Sequence, residues 1–309
     1  MKPRLTPDEL RKVLDKISNW GKWGKDDERG ALNFITNRKR AAAARLAQTG
    51  EVVSMALPLA TTPAPDNESP VTHLMVQSDA PEPGVGGCAD YFAIAHHGFM
   101  TTHLDALCHV FWNGRMYNGF AAGEVGFHGA RKCAIDVVRT GVVSRGVLLD
   151  FTKTRMVEWL EPGERVFPED LDRAEKDHKL HVEEGDVLLV RIGRSHRRKV
   201  KGGWEPAQGG IFPMAGLDPS CLPWLHERKI ALLGSDGVSD VFPTGYDDNP
   251  FPIHVGAIAM MGIHLLDNAD FDELAATCAR LGRYEFQFVM SPLILPRGTA
   301  SPVNPVAIF

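Results

Sequence analysis

Residues 1–50 show the periodic hydrophobic pattern of short helices. Thr6 can cap a first helix that has Pro7 at its first position and Glu9 three residues after the cap. Asn37 can cap a second helix, which would end near residue 50. The Gly-rich segment between them carries two tryptophans that would fasten it to the body of the protein. The pattern predicts an N-terminal helical extension over residues 1–50.

From residue 51 the apolar residues instead form short β-rich runs bounded by Gly, Pro or Asp. These runs are 51–60, 71–79, 91–97, 133–138, 147–151, 186–193, 230–236 and 286–295. Amphipathic helical segments follow some of them at 168–178, 218–228 and 270–282, the last with Asp270 and Glu273 in a capping-box arrangement. The basic run 194–203 is predicted as a solvated loop, with phosphate binding as the alternative. Interspersed strands and helices predict one mixed α/β domain over residues 51–309.

Composition narrows the functional class. The chain has 309 residues, a formal net charge of −5 and 44% hydrophobic residues, which is ordinary for a globular protein. No cationic field is present to attract nucleic acid or an anionic membrane. No apolar run approaches the ~18 residues of a membrane span, and the charged N-terminus does not resemble a signal peptide. Five scattered cysteines without a CxxC motif favour a cytoplasmic protein.

Ionisable side chains interrupt the apolar segment TTHLDALCHVF, residues 101–111. If the chain is extended from residue 91 to 110, His97, His103, Asp105 and His109 share one face. Burying such groups is costly unless they satisfy one another or hold a ligand. Nitrogen and oxygen donors at this spacing favour a divalent metal site, and a hydrogen-bonded polar network is the alternative.

The same residues resemble the signature of the cyclase family of metal-dependent hydrolases, which includes kynurenine formamidases and isatin hydrolases. That signature reads H-x-G-T-H-x-D-x-P-x-H, and Thr102, His103, Asp105 and His109 match its latter part. Further blocks that resemble the family are 145–151, 184–194, 224–236 and 292–309. The resemblance implies a barrel-like mixed sheet of the swivelling β/β/α type with peripheral helices. It also implies one or two Zn or Mn ions per chain and a homo-oligomer, a dimer or a tetramer.

The chain departs from the signature at two positions. Phe99 stands where the family has its first histidine, and Leu107 stands where proline is usual. His97 lies on the same parity and is the predicted replacement ligand, while His96 would need a β-bulge. A water or a distant side chain is the alternative third ligand.

Other residues are assigned to the site by the resemblance or by their chemistry. His254 and Asp267 look like the family's later histidine and acidic residue, with aspartate in place of glutamate. The alternatives are a surface histidine at a helix start and a turn aspartate. Asp236 and Asp240 are predicted as turn residues, with orientation of a histidine as the second interpretation. Predicted substrate contacts are the aromatic residues Phe99, Trp112 and Trp204.

These observations predict a metal-dependent hydrolase of the amidase or lactonase type. A metal-activated water would cleave an amide, cyclic amide or lactone of a small cyclic or aromatic substrate. His109 would carry the proton to the leaving group, or would instead contact a second ion. The alternatives are a metal-dependent cyclase or lyase and a non-catalytic protein with a closed metal shell.

Overall fold

The structure is a computed structural model that describes residues 4–78, 84–203 and 212–309. The α-helices of this part are α1 Pro7–Lys16, α2 Asn37–Ala44, α3 Phe151–Arg155, α4 Pro168–His178, α5 Arg194–Lys201, α6 Leu222–Arg228, α7 Pro252–His254 and α8 Asp272–Leu281. A π-helix, Val255–Met261, continues α7. Short 3-10 helices lie at Gly30–Phe34, Tyr117–Gly119, Ala122–Glu124, Ile135–Val138 and Pro219–Cys221.

The strands form one large sheet and three small two-stranded sheets. They are β1 Val52–Ser54, β2 Thr72–Ser78, β3 Cys88–Ala93, β4 His103–Asp105, β5 Val125–Gly126, β6 Gly129–Ala130, β7 Val142–Asp150, β8 Arg165–Val166, β9 Val187–Arg191, β10 Gly216–Leu217, β11 Leu232–Ser235, β12 His264–Asp267, β13 Glu285–Met290, β14 Ala300–Pro302 and β15 Val306–Ile308. The large sheet has nine strands in the order β1-β15-β13-β7-β9-β11-β12-β4-β14. It curls into half a barrel, which confirms the predicted mixed α/β fold with a barrel-like sheet.

The centre of the sheet is parallel and its margins are antiparallel. Strands β7, β9, β11 and β12 run in parallel, whereas β4 pairs antiparallel with β12 and with β14. The central strands are almost continuously apolar, as expected for strands covered on both faces. Polar side chains therefore collect where β12 ends and β4 begins, at the carboxyl edge of the parallel strands.

The N-terminal region is helical, with two boundaries of the second helix different from the prediction. The capping box of Thr6 and Glu9 at the start of α1 is confirmed. The second helix is capped by Thr36 rather than by Asn37, because the Thr36 hydroxyl accepts the backbone N–H of Lys39. This helix ends at Ala44. Side chains of this region, including Leu10, belong to the same hydrophobic cluster as the sheet.

Four local predictions are wrong. Residues 133–138 form no strand, and Ile135–Val138 within them form a 3-10 helix. Residues 194–201 form α5 rather than a loop, because the buried Asp236 carboxylate accepts the backbone N–H groups that begin the helix. The predicted capping box of Asp270 and Glu273 does not form at α8, since Phe271 occupies the cap position and Asp270 Oδ1 accepts the backbone N–H of Asp272 instead. The extended segment from residue 91 to 110 is interrupted, with no strand between Ala93 and His103.

Across the described ranges, no helix combines the length and apolar character needed to cross a membrane.

Candidate metal centre

Two adjacent antiparallel strands bring three of the predicted ligands onto one face of the sheet. His103 and Asp105 lie two residues apart on β4, so their side chains point the same way. Asp267, the last residue of β12, is the cross-strand neighbour of His103. Each of these residues is at most 3% exposed, although every one is ionisable. The sheet register thus places two carboxylates and an imidazole together in the protein interior.

The first group of ligand atoms consists of His97, His103 and Asp105. His97 Nδ1 lies 3.2 Å from Asp105 Oδ1, and His103 Nε2 lies 3.4 Å from the same oxygen. His97 comes from the loop before β4 rather than from an extended strand. The structure therefore brings His97 to Asp105 by a route that the sequence pattern did not anticipate.

The second group consists of Asp105, His254 and Asp267. His254 Nε2 lies 3.4 Å from Asp267 Oδ2 and 3.8 Å from Asp105 Oδ2. His254 is buried at the end of α7, so it is not the surface histidine of the alternative interpretation. The two groups share Asp105, whose two oxygens face different sets of partners.

Three carboxylate oxygens in these groups lack a hydrogen-bond partner within the part of the chain that the structure describes. Both side-chain oxygens of Asp105 and Oδ1 of Asp267 are buried without a hydrogen-bond partner among the described residues. Native proteins rarely leave buried carboxylate oxygens in this condition, because desolvation is then uncompensated. Oxygen and imidazole donors that converge in this way fit a divalent cation.

The electrostatics of the cluster also favour positive charge. Burial opposes protonation of His103, but the adjacent Asp105 carboxylate outweighs burial and raises the pKa of His103 to about 9. Burial likewise opposes ionisation of Asp105, yet the His103 imidazole holds the pKa of Asp105 well below its usual range. The pKa of His254 is raised well above its ordinary value, since its hydrogen bonds to Asp240 and Asp267 overcome burial. A cation placed among these groups would benefit from the same carboxylates.

The far nitrogen of each imidazole is held by a polar group. His103 Nδ1 lies 2.8 Å from the carbonyl oxygen of Thr101, and His254 Nδ1 lies 2.6 Å from Asp240 Oδ2. Asp240 also accepts the backbone N–H groups of Ile253 and His254, so it fixes both α7 and its histidine. The interpretation of Asp240 as a mere turn residue is wrong, and its orienting role is the correct one. Asp236 instead anchors α5.

His109 lies beside the two ligand groups and belongs to neither of them. Its ring stacks on His97 at a centroid distance of 3.9 Å and an interplanar angle of 9°. Burial lowers the pKa of His109 to about 4, so the imidazole is uncharged at neutral pH. It lines a cleft of about 410 Å³ together with Trp112, Phe251 and His254.

A second, more apolar cleft of about 500 Å³ adjoins the first through Pro250 and Phe251. Phe99 lies on its wall, with its ring 4.9 Å from that of Phe212. Trp112 lines the cleft beside His109, whereas Trp204 lies outside the described residues. Sequence reasoning did not select Phe212, Phe242 or Phe251 as wall residues. The Pro- and Phe-rich segment just before His254 could have indicated that Phe251 lies beside the site.

Comparison with known proteins places the chain among structural relatives. A solved structure described as a novel cyclase is 31% identical, covers 96% of this chain and 99% of its own, and has a TM-score of 0.85. Isatin hydrolase A from Labrenzia aggregata is 19% identical over 83% of this chain and 93% of its own, with a TM-score of 0.59. A predicted metal-dependent hydrolase from Bacillus stearothermophilus is 14% identical over 83% of this chain and 97% of its own, with a TM-score of 0.50.

A search of curated proteins finds no match to the sequence. The sequence profile of the family described as "Putative cyclase" matches residues 36–240, which is more than half of the chain. The match includes β4 and the first ligand group, and the novel cyclase extends the likeness over nearly the whole chain. The chain therefore belongs to the cyclase family that this profile defines.

Proposed function

We propose that the protein is a metal-dependent hydrolase that holds Zn or Mn at the cluster around Asp105. The observation that carries the proposal is the buried Asp105 carboxylate, which lies between two sets of donors and has no hydrogen bond to either of its oxygens. His97 and His103 would hold an ion on one side of Asp105, and His254 and Asp267 would hold one on the other. The cluster has donors for one or two ions.

A divalent ion, when bound, lowers the pKa of a coordinated water to about 7 and polarises a substrate carbonyl. The chain supplies the remaining functions. His109, uncharged at neutral pH, accepts a proton near the reacting carbonyl and returns it to the leaving nitrogen or oxygen. Asp240 keeps the imidazole of His254 turned toward Asp105 and Asp267.

The two clefts support a small, cyclic or aromatic substrate with little charge. Their described walls contain Phe99, Trp112, Phe212, Phe242 and Phe251 and no lysine or arginine. The described walls therefore offer no cationic side chain to a substrate carboxylate, whereas aromatic walls accept a flat apolar ring. We therefore propose an uncharged amide, cyclic amide or lactone as the substrate. Isatin, after which the structurally similar isatin hydrolases are named, belongs to this class.

The test is elemental analysis and activity of the wild type and of His103→Ala. We expect the wild type to contain stoichiometric Zn or Mn and to hydrolyse members of an aryl lactone and cyclic amide panel. His103→Ala should lose metal and at least about 100-fold in kcat/KM, whereas the exposed control His128→Ala should match the wild type. Retention of metal and turnover by His103→Ala would disprove the assignment.

Heavy-oxygen water separates hydrolysis from the cyclase or lyase alternative. Hydrolysis transfers one solvent oxygen to the acid product, whereas removal of an α-proton followed by elimination does not. Product that lacks solvent oxygen would replace the hydrolase proposal with the lyase.

We also propose a cytoplasmic homo-oligomer, a dimer or a tetramer, in which residues 1–50 are an extension of the 51–309 domain. All five cysteines are free, which fits a reducing compartment. The β2–β3 hairpin exposes apolar side chains, including Leu74, Tyr91 and Phe92. An interface between copies would cover such a surface.

A further inference from the structure

His97 is the ligand of the proposed centre that regular structure supports least. His103 and Asp267 lie on strands, and His254 ends a helix. His97 instead lies in the irregular segment between β3 and β4, with its side chain one-third exposed. A ligand on such a segment needs an additional contact if its imidazole is to keep a productive orientation.

Thr299 provides that contact from the other side of the site. Its hydroxyl oxygen lies 3.1 Å from His97 Nε2. The backbone of Thr299 is itself fixed to β4, because its carbonyl oxygen accepts the N–H of Ala106 at 3.0 Å. The next residue, Ala300, is the β-sheet partner of Asp105. The hydroxyl is thus held in a constant position relative to the Asp105 carboxylate.

Two contacts together define the orientation of the His97 ring. Stacking on His109 sets the plane of the ring, and the bond to Thr299 sets its rotation within that plane. Nδ1 then faces Asp105 Oδ1. For Nδ1 to bind a cation it must be unprotonated, so the ring proton must be on Nε2, where Thr299 Oγ1 can accept it.

We propose that Thr299 is a positioning residue that holds His97 in the tautomer and orientation needed for metal binding. The proposal rests on the proposed function. It gives His97 the support that Thr101 gives His103 and Asp240 gives His254. Thr299 thereby compensates for the replacement of the first signature histidine by Phe99, which turns instead toward the apolar cleft.

The experiment measures Zn²⁺ affinity by competition with a chromogenic chelator for the wild type, Thr299→Val and Thr299→Ser. Valine keeps the branched shape without the hydroxyl, and serine keeps the hydroxyl. We expect Thr299→Val to bind Zn²⁺ about 10- to 100-fold more weakly and Thr299→Ser to stay within about 3-fold of the wild type. The metal-free melting temperatures of all three should agree, because water can solvate the partly exposed His97.

A second comparison shows whether Thr299 acts through His97. Adding Thr299→Val to His97→Ala should weaken Zn²⁺ binding no further, since the group that the hydroxyl orients is already absent. Wild-type affinity in Thr299→Val, failure of serine to rescue, or an equal loss in the His97→Ala background would overturn the assignment while leaving the proposed function intact. A wild-type protein that binds neither Zn²⁺ nor Mn²⁺ would overturn both.

Discussion

Asp105 is the residue that connects the two ligand groups, since one carboxylate oxygen faces each group. Its place on β4 could be predicted, because His103 and Asp105 are separated by the two-residue repeat of a strand. The position of Asp267 beside His103 could not be predicted in the same way. It depends on the register between β4 and β12, which are far apart in sequence and meet only in the folded sheet.

Asp240 shows a second limit of prediction from the sequence, again for a single residue. A short acidic residue in a Gly- and Ser-rich segment is most often part of a turn. Its contact with His254 arises because the loop after β11 folds over the start of α7. Sequence can supply the residue type, but the partner of a loop carboxylate is decided by tertiary packing.

His109 should be separable from metal binding. Glutamine keeps much of the volume of histidine but cannot carry a proton between reacting groups. The planar glutamine amide can still lie against the His97 ring, so we expect His109→Gln to retain the metal content of the wild type and to lose about 10²- to 10⁴-fold in kcat. Elemental analysis and steady-state kinetics on the same preparation check this. A variant with unchanged kcat would remove His109 from the mechanism, and one without metal would show that His109 is needed for metal binding, as a ligand or through its stacking on His97.

At the scale of elements, the N-terminal region supports the helix that carries His254. The π-helix after α7 ends at Gly262, whose carbonyl oxygen accepts the N–H of Ala31. Asn19 completes the contact by donating from its side chain to the carbonyl oxygen of Met261. These groups satisfy carbonyls that a helix leaves unpaired at its C-terminus. The extension therefore stabilises a helix at whose other end the proposed ligand lies.

Gly30 allows the chain to approach Gly262 closely enough for this contact. A matched pair of glycine-to-alanine substitutions tests its importance. A Cβ at Gly30 would lie 2.1 Å from the carbonyl oxygen of Gly262, and Gly30 also has a positive φ of +59°. Gly21 has a φ of +75° but nothing within 4 Å of such a Cβ. Alanine at either position must adopt a left-handed backbone conformation, which destabilises the fold by about 1 kcal/mol. Only Gly30→Ala must also displace the end of the helix.

We expect Gly30→Ala to lower the free energy of unfolding by about 3 kcal/mol and Gly21→Ala by about 1 kcal/mol. Urea denaturation followed by tryptophan fluorescence measures both values. Gly30→Ala should also weaken Zn²⁺ binding, because the displaced helix carries His254. Equal stabilities for the two variants would show that the contact between Gly30 and Gly262 contributes little.

At the scale of the whole molecule, the alternation of strands and helices in the sequence is sufficient to predict the fold class. The parallel centre follows from continuous apolar runs such as β9 and β11, each of which needs cover on both faces. The order of the strands does not follow from such runs. Strand β4 lies between β12 and β14, although the chain reaches those two strands much later. Only the assembled sheet brings the early signature and the late acidic residue together.

The same arrangement makes metal binding a property of the folded chain alone, since the ligands come from separate parts of the sequence. An ion that binds the native state and not the unfolded chain stabilises it by about 4 kcal/mol at a free concentration 1,000 times the Kd. Chelation should therefore lower the urea midpoint of the wild type without changing the dependence of the unfolding free energy on urea. The shift should vanish in His103→Ala, whose cluster has lost a donor, and persist in His128→Ala. Equal wild-type midpoints with chelator and with either Zn²⁺ or Mn²⁺ would mean that the buried Asp105 carboxylate is tolerated in the fold without a cation, and the proposed centre would lose its physical basis.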